Sequence, residues 1–263
     1  MSMDIKIIVV THKPYWMPSD DVYIPLHVGK ALHPCLNLGI QTDDAGDNVS
    51  DKNASYCELT GLYWAWENLK ADYIGLCHYR RYFANSAYIF SRDAEKKKRA
   101  ILARQDYEEM LSKYDIIVPT KRHYFIETVR SQYEHAHYKK DLDAAEQIMR
   151  EKRPDYIASF DKVMRQRSLH ILNMFVMKWP LFDEYCAWLF PMLFELEKRI
   201  DTSGYDVYER RVYGFIAERL FNVWLENQHA RVKEMPVMCL ENVDWTHKII
   251  SFLERKFLGT NNR

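Results

Sequence analysis

Three short apolar runs limit the choice of fold more than any other feature of the chain. Ile5–Val10, 72–77 (ending at Cys77) and 115–119 (Asp-Ile-Ile-Val-Pro) are too brief for helices, the first and third are rich in β-branched residues, and polar or charged residues follow each. Between the first two, apolar residues recur at 59, 62, 63, 66 and 69, a helical spacing, and a charged helix is expected over 93–113. Strands that alternate with helices predict an α/β domain whose ligands gather at strand ends.

The second half reads differently. Helices are expected over 126–138, 141–152 and 156–166, with Pro154 as a stop. Residues 169–177 are strand-like, 179–200 a long amphipathic helix, 206–227 another helix, and 231–240 a last strand. Residues 13–54, with prolines at 14, 18, 25 and 34, read as irregular. The chain of 263 residues is therefore expected to be one domain. A nucleotide-sugar-binding half spans about 1–120, a helical acceptor-side half about 121–245, and a tail 246–263.

Composition removes several classes of function. With 37 basic and 37 acidic residues the formal charge is zero, which argues against a nucleic-acid binder. Five cysteines, none in a CxxC pair, read as free thiols in a reducing cytoplasm. The apolar run Ile7–Val10 is too short for a signal peptide or a membrane span. No GxGxxG follows the first strand, and no GxxxxGK[ST] occurs, so neither a dinucleotide fold nor a P-loop has support.

The chemistry is expected first at His78-Tyr79-Arg80-Arg81-Tyr82-Phe83, where a buried strand delivers two guanidinium forks that match phosphate oxygens. Thr11, His12 and Lys13 end the first strand and form a second candidate ligand edge. Asp47, Asn48, Lys52 and Asn53 form a loop that either holds a ribose, base edge or sugar hydroxyl, or is a plain turn before a helix. His135 and His137 are two apart, poor geometry for a zinc pair; contact of His137 with a phosphate or an acceptor sugar competes with a structural role. Asp206 and Glu209, spaced i, i+3, are candidates for the base that deprotonates an acceptor hydroxyl, or for helix capping. Glu218 and Arg219 read as an internal ion pair.

The strings THKPYWMP, GDNVSDKN, YCELTGLYWAWENLKADYIGLCHYRRYF, NMFVMKWPLFDEYCAWLFPMLFELEKRID and GFIAERLFNVWL, spread over about residues 4–240, resemble one bacterial family of capsule and exopolysaccharide gene clusters. That family was long catalogued as a domain of unknown function and is now associated with glycosyltransferases, galactofuranosyltransferases among them. The resemblance implies a GT-A-like nucleotide-sugar-binding fold with a mixed central sheet and a helical C-terminal elaboration. It also implies a UDP-sugar donor, galactofuranose being the best single sugar, and a polyprenyl-diphosphate-linked oligosaccharide acceptor at the inner membrane face.

GT-A enzymes commonly hold a divalent metal with Asp-x-Asp after a strand. Here that strand end carries His-Tyr-Arg-Arg, and Asp43-Asp44 lacks a strand before it in the sequence pattern. The expectation is an inverting transferase without cofactor or metal, in which Arg80, Arg81 and His78 stabilise the leaving diphosphate. The tail residues Trp245, Lys248, Phe252, Arg255 and Lys256 are a candidate lipid contact.

Overall fold

The structure is a computed structural model and describes residues 3–241; the expected lipid-binding tail lies outside the described residues. The first half contains β1 (Ile5–Thr11), β2 (Tyr23–His27), β3 (Gln41–Thr42), α1 (Asn53–Tyr56), α2 (Leu59–Asn68), β4 (Tyr73–His78), β5 (Arg81–Phe83), α3 (Ala94–Arg99), α4 (Arg104–Leu111) and β6 (Ile116–Pro119). The second half adds β7 (Arg122–His123), α5 (Val129–Ala136), α6 (Lys139–Lys152), α7 (Ile157–Arg165), β8 (Ser168–Leu169), β9 (Phe175–Lys178), α8 (Trp179–Arg199), α9 (Val212–Glu226), β10 (Val232–Met235) and β11 (Val237–Cys239).

One mixed sheet of nine strands runs in the order β10-β6-β9-β4-β1-β2-β3, with β5 on β4 and β11 on β5. β4, β1, β2 and β3 are parallel, so their carboxyl ends share one edge. β9 inserts between β4 and β6 and is antiparallel to both. β10 then pairs with β6 in parallel. Strands from the second half thus complete the sheet begun by the first.

The longer helices of the second half, with α2, pack around this sheet because each has an apolar stripe to bury. On α8 the stripe includes Phe182, Tyr185, Leu189, Phe190 and Leu193, each at most 1% exposed, and α9 answers with Leu220, Phe221 and Trp224. Burying each of these large side chains contributes about 2 kcal/mol. α2 lies close over β1 and β2. A Cβ placed on its Gly61 would come 2.6 Å from Val10 Cγ1, so only glycine permits that approach. Close packing there draws the segment just before α2 towards the ends of β1 and β4.

Several sequence expectations change in the structure. Residues 13–54 are not all irregular, since β2 and β3 extend the sheet. Pro25 is tolerated in β2 because β3 reaches only Leu26 and His27. The single helix expected over 93–113 is two, α3 and α4, separated at 100–103. The expected strand over 169–177 is broken into β8 and β9. Between them Leu172 (φ 80°) and Asn173 (φ 50°) adopt the left-handed region, which asparagine tolerates and leucine disfavours.

Candidate functional site

At the carboxyl edge of β1 and β4 opens a cleft of about 490 Å³. Its first wall consists of strand ends. β1 and the residue after it contribute Val10, Thr11 and His12; β4, the turn after it and the start of β5 contribute His78, Tyr79, Arg80 and Arg81. The parallel pairing of β1 with β4 puts these residues together, because Val10 is level with His78. The facing wall comes from the helical half. It carries Arg122 and Tyr124 beside β7, Gln132 of α5, His137, and Tyr208, Arg211, Phe215, Glu218 and Arg219 at and along α9.

Tyr79 organises the first wall. Its buried ring meets His12 and Tyr15 edge-on, with centroids 5.5 and 4.9 Å apart, and both the Lys13 ammonium (5.3 Å) and the Arg80 guanidinium (5.4 Å) approach it. Arg80 also pairs with Glu241 at 2.8 Å, a contact more than one-third exposed on both sides. Among the described residues Arg81 makes no ion pair or side-chain hydrogen bond, so its fork is available to a ligand. Lys13 stays exposed beside the cleft.

His78 differs from its expected role as a cation. Its Nε2–H donates to the Leu172 carbonyl at 2.7 Å, and burial pulls its pKa below the usual histidine range. A neutral ring already bonded to the backbone anchors a loop and does not neutralise phosphate. His12 is likewise pulled below the ordinary range, first by burial and then by Lys13 and Arg80.

The Asp47–Asn53 loop is placed differently from the donor-binding expectation. Lys52 Nζ bridges Glu197 of α8 at 2.7 and 2.9 Å. The Asn48 amide donates to the Asp44 and Gly46 carbonyls, and its Oδ1 accepts from the Ser50 N–H. The Asp47 carbonyl accepts from Asn68. None of these three residues lines the cleft. Asn53 does, although its amide hydrogens go to the Cys57 carbonyl and Thr60.

Four residues before that loop, fully buried Asp43 accepts from the N–H groups of Gly29 and Lys30 and the hydroxyls of Ser50 and Thr60. β3 does precede Asp43, contrary to the sequence pattern, but both carboxylate oxygens are engaged in holding loops together. The donor set at the strand ends does not fit a divalent cation either. Guanidinium groups cannot ligate one, and the His78 Nε2 bears the proton it gives to Leu172. Among the described residues no three His, Cys, Asp or Glu side chains group so as to hold a metal.

The expected bases also move. Asp206 is exposed and uses Oδ1 to accept from the N–H groups of Tyr208 and Glu209, a capping role. Glu209 is 2% exposed and hydrogen-bonds His137 Nδ1 at 3.1 Å. Neither carboxylate lines the cleft. His137 does; its ring stacks on Phe215 at 4.1 Å, with Tyr208 5.9 Å away. His135 instead binds Glu127 and is not part of the cleft wall.

The acids that line the cleft are Glu58 and Glu218. Glu218 pairs with Arg219 at 3.1 Å, as the sequence suggested. Arg219 also donates to Gln132 at 2.7 Å and to the Phe215 carbonyl at 3.0 Å. Burial lifts the Glu218 carboxyl above its ordinary range, and Arg219 opposes that rise. Glu58, Arg122, Gln132, Tyr208 and Arg211 were not singled out by the sequence. Each sits in a helix, short strand or turn whose periodicity carries no sign of a shared cleft.

Residues 6–229 match the family described as a domain of unknown function, DUF4422. The chain belongs to the DUF4422 family. None of the curated proteins compared with it matches. Among solved structures, the apo structure of the bifunctional glycosyltransferase WbbM is similar, with 33% sequence identity and a TM-score of 0.84. The likeness covers 91% of this DUF4422 chain and 46% of that one, so the chain spans about half the length of the protein it matches. At that similarity the fold is shared. This DUF4422 domain is a mixed α/β, GT-A-like domain with a central mixed sheet and flanking helices.

Proposed function

We propose that this domain is a glycosyltransferase that moves a sugar from a UDP-sugar donor to a lipid-linked oligosaccharide acceptor in surface polysaccharide synthesis. The observation that carries the reading is Arg81. Its guanidinium stands at the mouth of β4, faces a cleft, and has no carboxylate partner among the described residues. A diphosphate leaving group gains negative charge as its bond to the sugar breaks, and a fixed cation aimed at that charge lowers the barrier. Arg80, held against Tyr79, supports the same pole. Likeness to WbbM, a bifunctional glycosyltransferase, favours the same class of reaction.

In this reading Thr11, His12 and Asn53 border the donor, and His137, Tyr208 and Phe215 form an aromatic floor on the acceptor side. Galactofuranose is the sugar proposed for transfer, with inversion and without a divalent metal. Contact with the inner membrane face is proposed as well. No helix among the described residues is long and apolar enough to cross a membrane. Phe125, Ile126, Val207 and Tyr208, however, expose apolar side chains next to cleft-lining residues of the helical wall.

Calorimetry with UDP and with free oligosaccharide tests the class of function. A transferase binds UDP, in excess EDTA as well as without it. A scaffold that binds only glycan would respond to the oligosaccharide alone, and binding or turnover that vanishes in EDTA and returns with manganese would sink the metal-free reading.

A further inference from the structure

Resting on the glycosyltransferase reading, we infer that Glu58 is the general base of the transfer and that Asn173 is its positioning residue. A base must line the cleft and keep an oxygen open to the acceptor hydroxyl. Both oxygens of Glu218 are engaged: Oε1 accepts from the Leu172 N–H at 2.7 Å and Oε2 from Arg219 at 3.1 Å. Glu58 uses only Oε1, which accepts from Asn173 Nδ2 at 2.7 Å. Its Oε2 has no hydrogen-bond or ion-pair partner among the described residues, and the residue lines the cleft.

The backbone around Glu58 is unusual. Among the described residues, four that are not glycine have φ in the left-handed region: Cys57, Phe125, Leu172 and Asn173. Cys57 (φ 53°) breaks the helix between α1 and α2 and delivers Glu58 as the next residue. Leu172 and Asn173 form the turn that meets Glu58 from the other side.

That turn is clamped at three points. His78 donates to the Leu172 carbonyl, Glu218 accepts the Leu172 N–H, and Asn173 Nδ2 donates to both Glu58 and the Gly214 carbonyl, the latter at 3.1 Å. Because both acceptors need amide hydrogens, the Asn173 amide has one orientation, and its buried Oδ1 is left without a partner. Strained backbone and an unsatisfied buried atom persist where the surroundings enforce them, and such features cluster at functional sites.

In the step itself, the acceptor hydroxyl oxygen attacks the anomeric carbon, its proton passes to Glu58 Oε2, and the bond to the diphosphate breaks. UDP leaves with the bonding electron pair. The groups that act electrostatically on Glu58 are Cys57 beside it, His78 from β4, Tyr185 from α8, and Arg211 and Glu218 from the α9 region. His78 is neutral in its buried setting, so Arg211 and Glu218 are the charges that set the field there.

The probe is UDP release from UDP-galactofuranose with octyl β-galactoside as acceptor, read across pH, alongside UDP calorimetry and a melting curve for each variant. Glu58→Gln keeps the Asn173 contact through its amide oxygen. It is expected to lower turnover about 100-fold or more with UDP affinity unchanged. Asn173→Ala removes the hydrogen bond that holds the Glu58 carboxylate in place, so kcat is expected to fall about tenfold or more while KM for the donor and UDP affinity stay within about twofold. A purely structural role for Asn173 would lower the melting temperature and leave kcat of the folded protein unchanged.

Glu58→Gln that keeps turnover within about fivefold of the parent, a factor too small for a lost base, overturns the assignment. Glu218→Gln that lowers turnover about 100-fold while Glu58→Gln leaves it near the parent gives the role to Glu218. An unmodified protein that binds no UDP overturns the transferase reading itself, which the variants leave intact.

Discussion

The turn after β4 and the loop from Asp47 to Asn53 look alike as sequence: each carries cationic charge on a polar stretch next to an apolar element. The fold treats them oppositely. After β4 the chain reverses into β5 within two residues, and the Arg80 and Arg81 side chains are too long and too far forked to satisfy their own backbone. They reach out, Arg80 to Tyr79 and Glu241, Arg81 into the cleft. In the loop Asn48, and just before it Asp43, are short enough to bond nearby N–H and carbonyl groups, and they do. Short polar residues tend to close on themselves, whereas long cationic ones at a strand mouth stay available to a partner.

The largest expected effect belongs to the first region. Arg81→Ala should lower turnover of UDP-galactofuranose about 100- to 1,000-fold, the range for loss of one fixed donor to a developing anion, and should weaken UDP in calorimetry. Arg80→Ala should cost less, because Glu241 already neutralises part of that charge. Equal and near-parental activity of both variants would remove the strand-mouth cations from the mechanism.

Next in size is the buried carboxylate that holds the loop through Ser50. Asp43→Ala strands two backbone N–H groups and two hydroxyls in a buried site, and should lower folding stability by about 3 kcal/mol. The measurement is denaturant unfolding, with UDP affinity of the folded fraction as the second readout. Stability that holds while UDP affinity collapses would mean that Asp43 serves a ligand, and the contrast between the two regions would fail.

How much of this could be read in the sequence depends on the range of the interactions. The strand before Arg80 was legible, because the run Tyr73–Cys77 ending in charge leaves little choice of structure. α2 was legible from its 3.6-residue spacing, and so was the Glu218–Arg219 pair. Glu58 was not. What makes it special is the left-handed Cys57 before it and Asn173, 115 residues away along the chain. The turn at Leu172–Asn173 was hidden for the same reason: no glycine marks it, so residues 169–177 read as one strand, and only His78, Glu58 and Glu218 together enforce the bend. Asp206 and Glu209 had the right spacing for a shared face, yet a capping site and a buried histidine contact took both. In β2, Pro25 concealed a strand whose outer partner is too short to need the missing N–H.

The smallest expected effect is the most discriminating between the two regions. Lys52 is the one cation of the Asp47–Asn53 loop, and by sequence it has as good a claim on a phosphate as Arg81. In the structure its ammonium lies against both oxygens of Glu197, which also accepts from the Tyr56 hydroxyl at 3.3 Å. The pair is about one-third exposed on each side, so water screens it and its contribution to stability is about 0–1 kcal/mol. Lys52→Ala should therefore shift the melting temperature by no more than about 3 °C and leave UDP affinity within about twofold of the parent. A tenfold loss of affinity, close to 1.4 kcal/mol, would require the ammonium to leave Glu197 for the donor. The α8 carboxylate would then be abandoned, which Glu197→Gln would expose by tightening UDP binding, since the lysine would no longer be held back. If neither variant changes UDP affinity, the loop's charge belongs to the packing of α8 against α1, and the phosphate-binding cations are those at the mouth of β4.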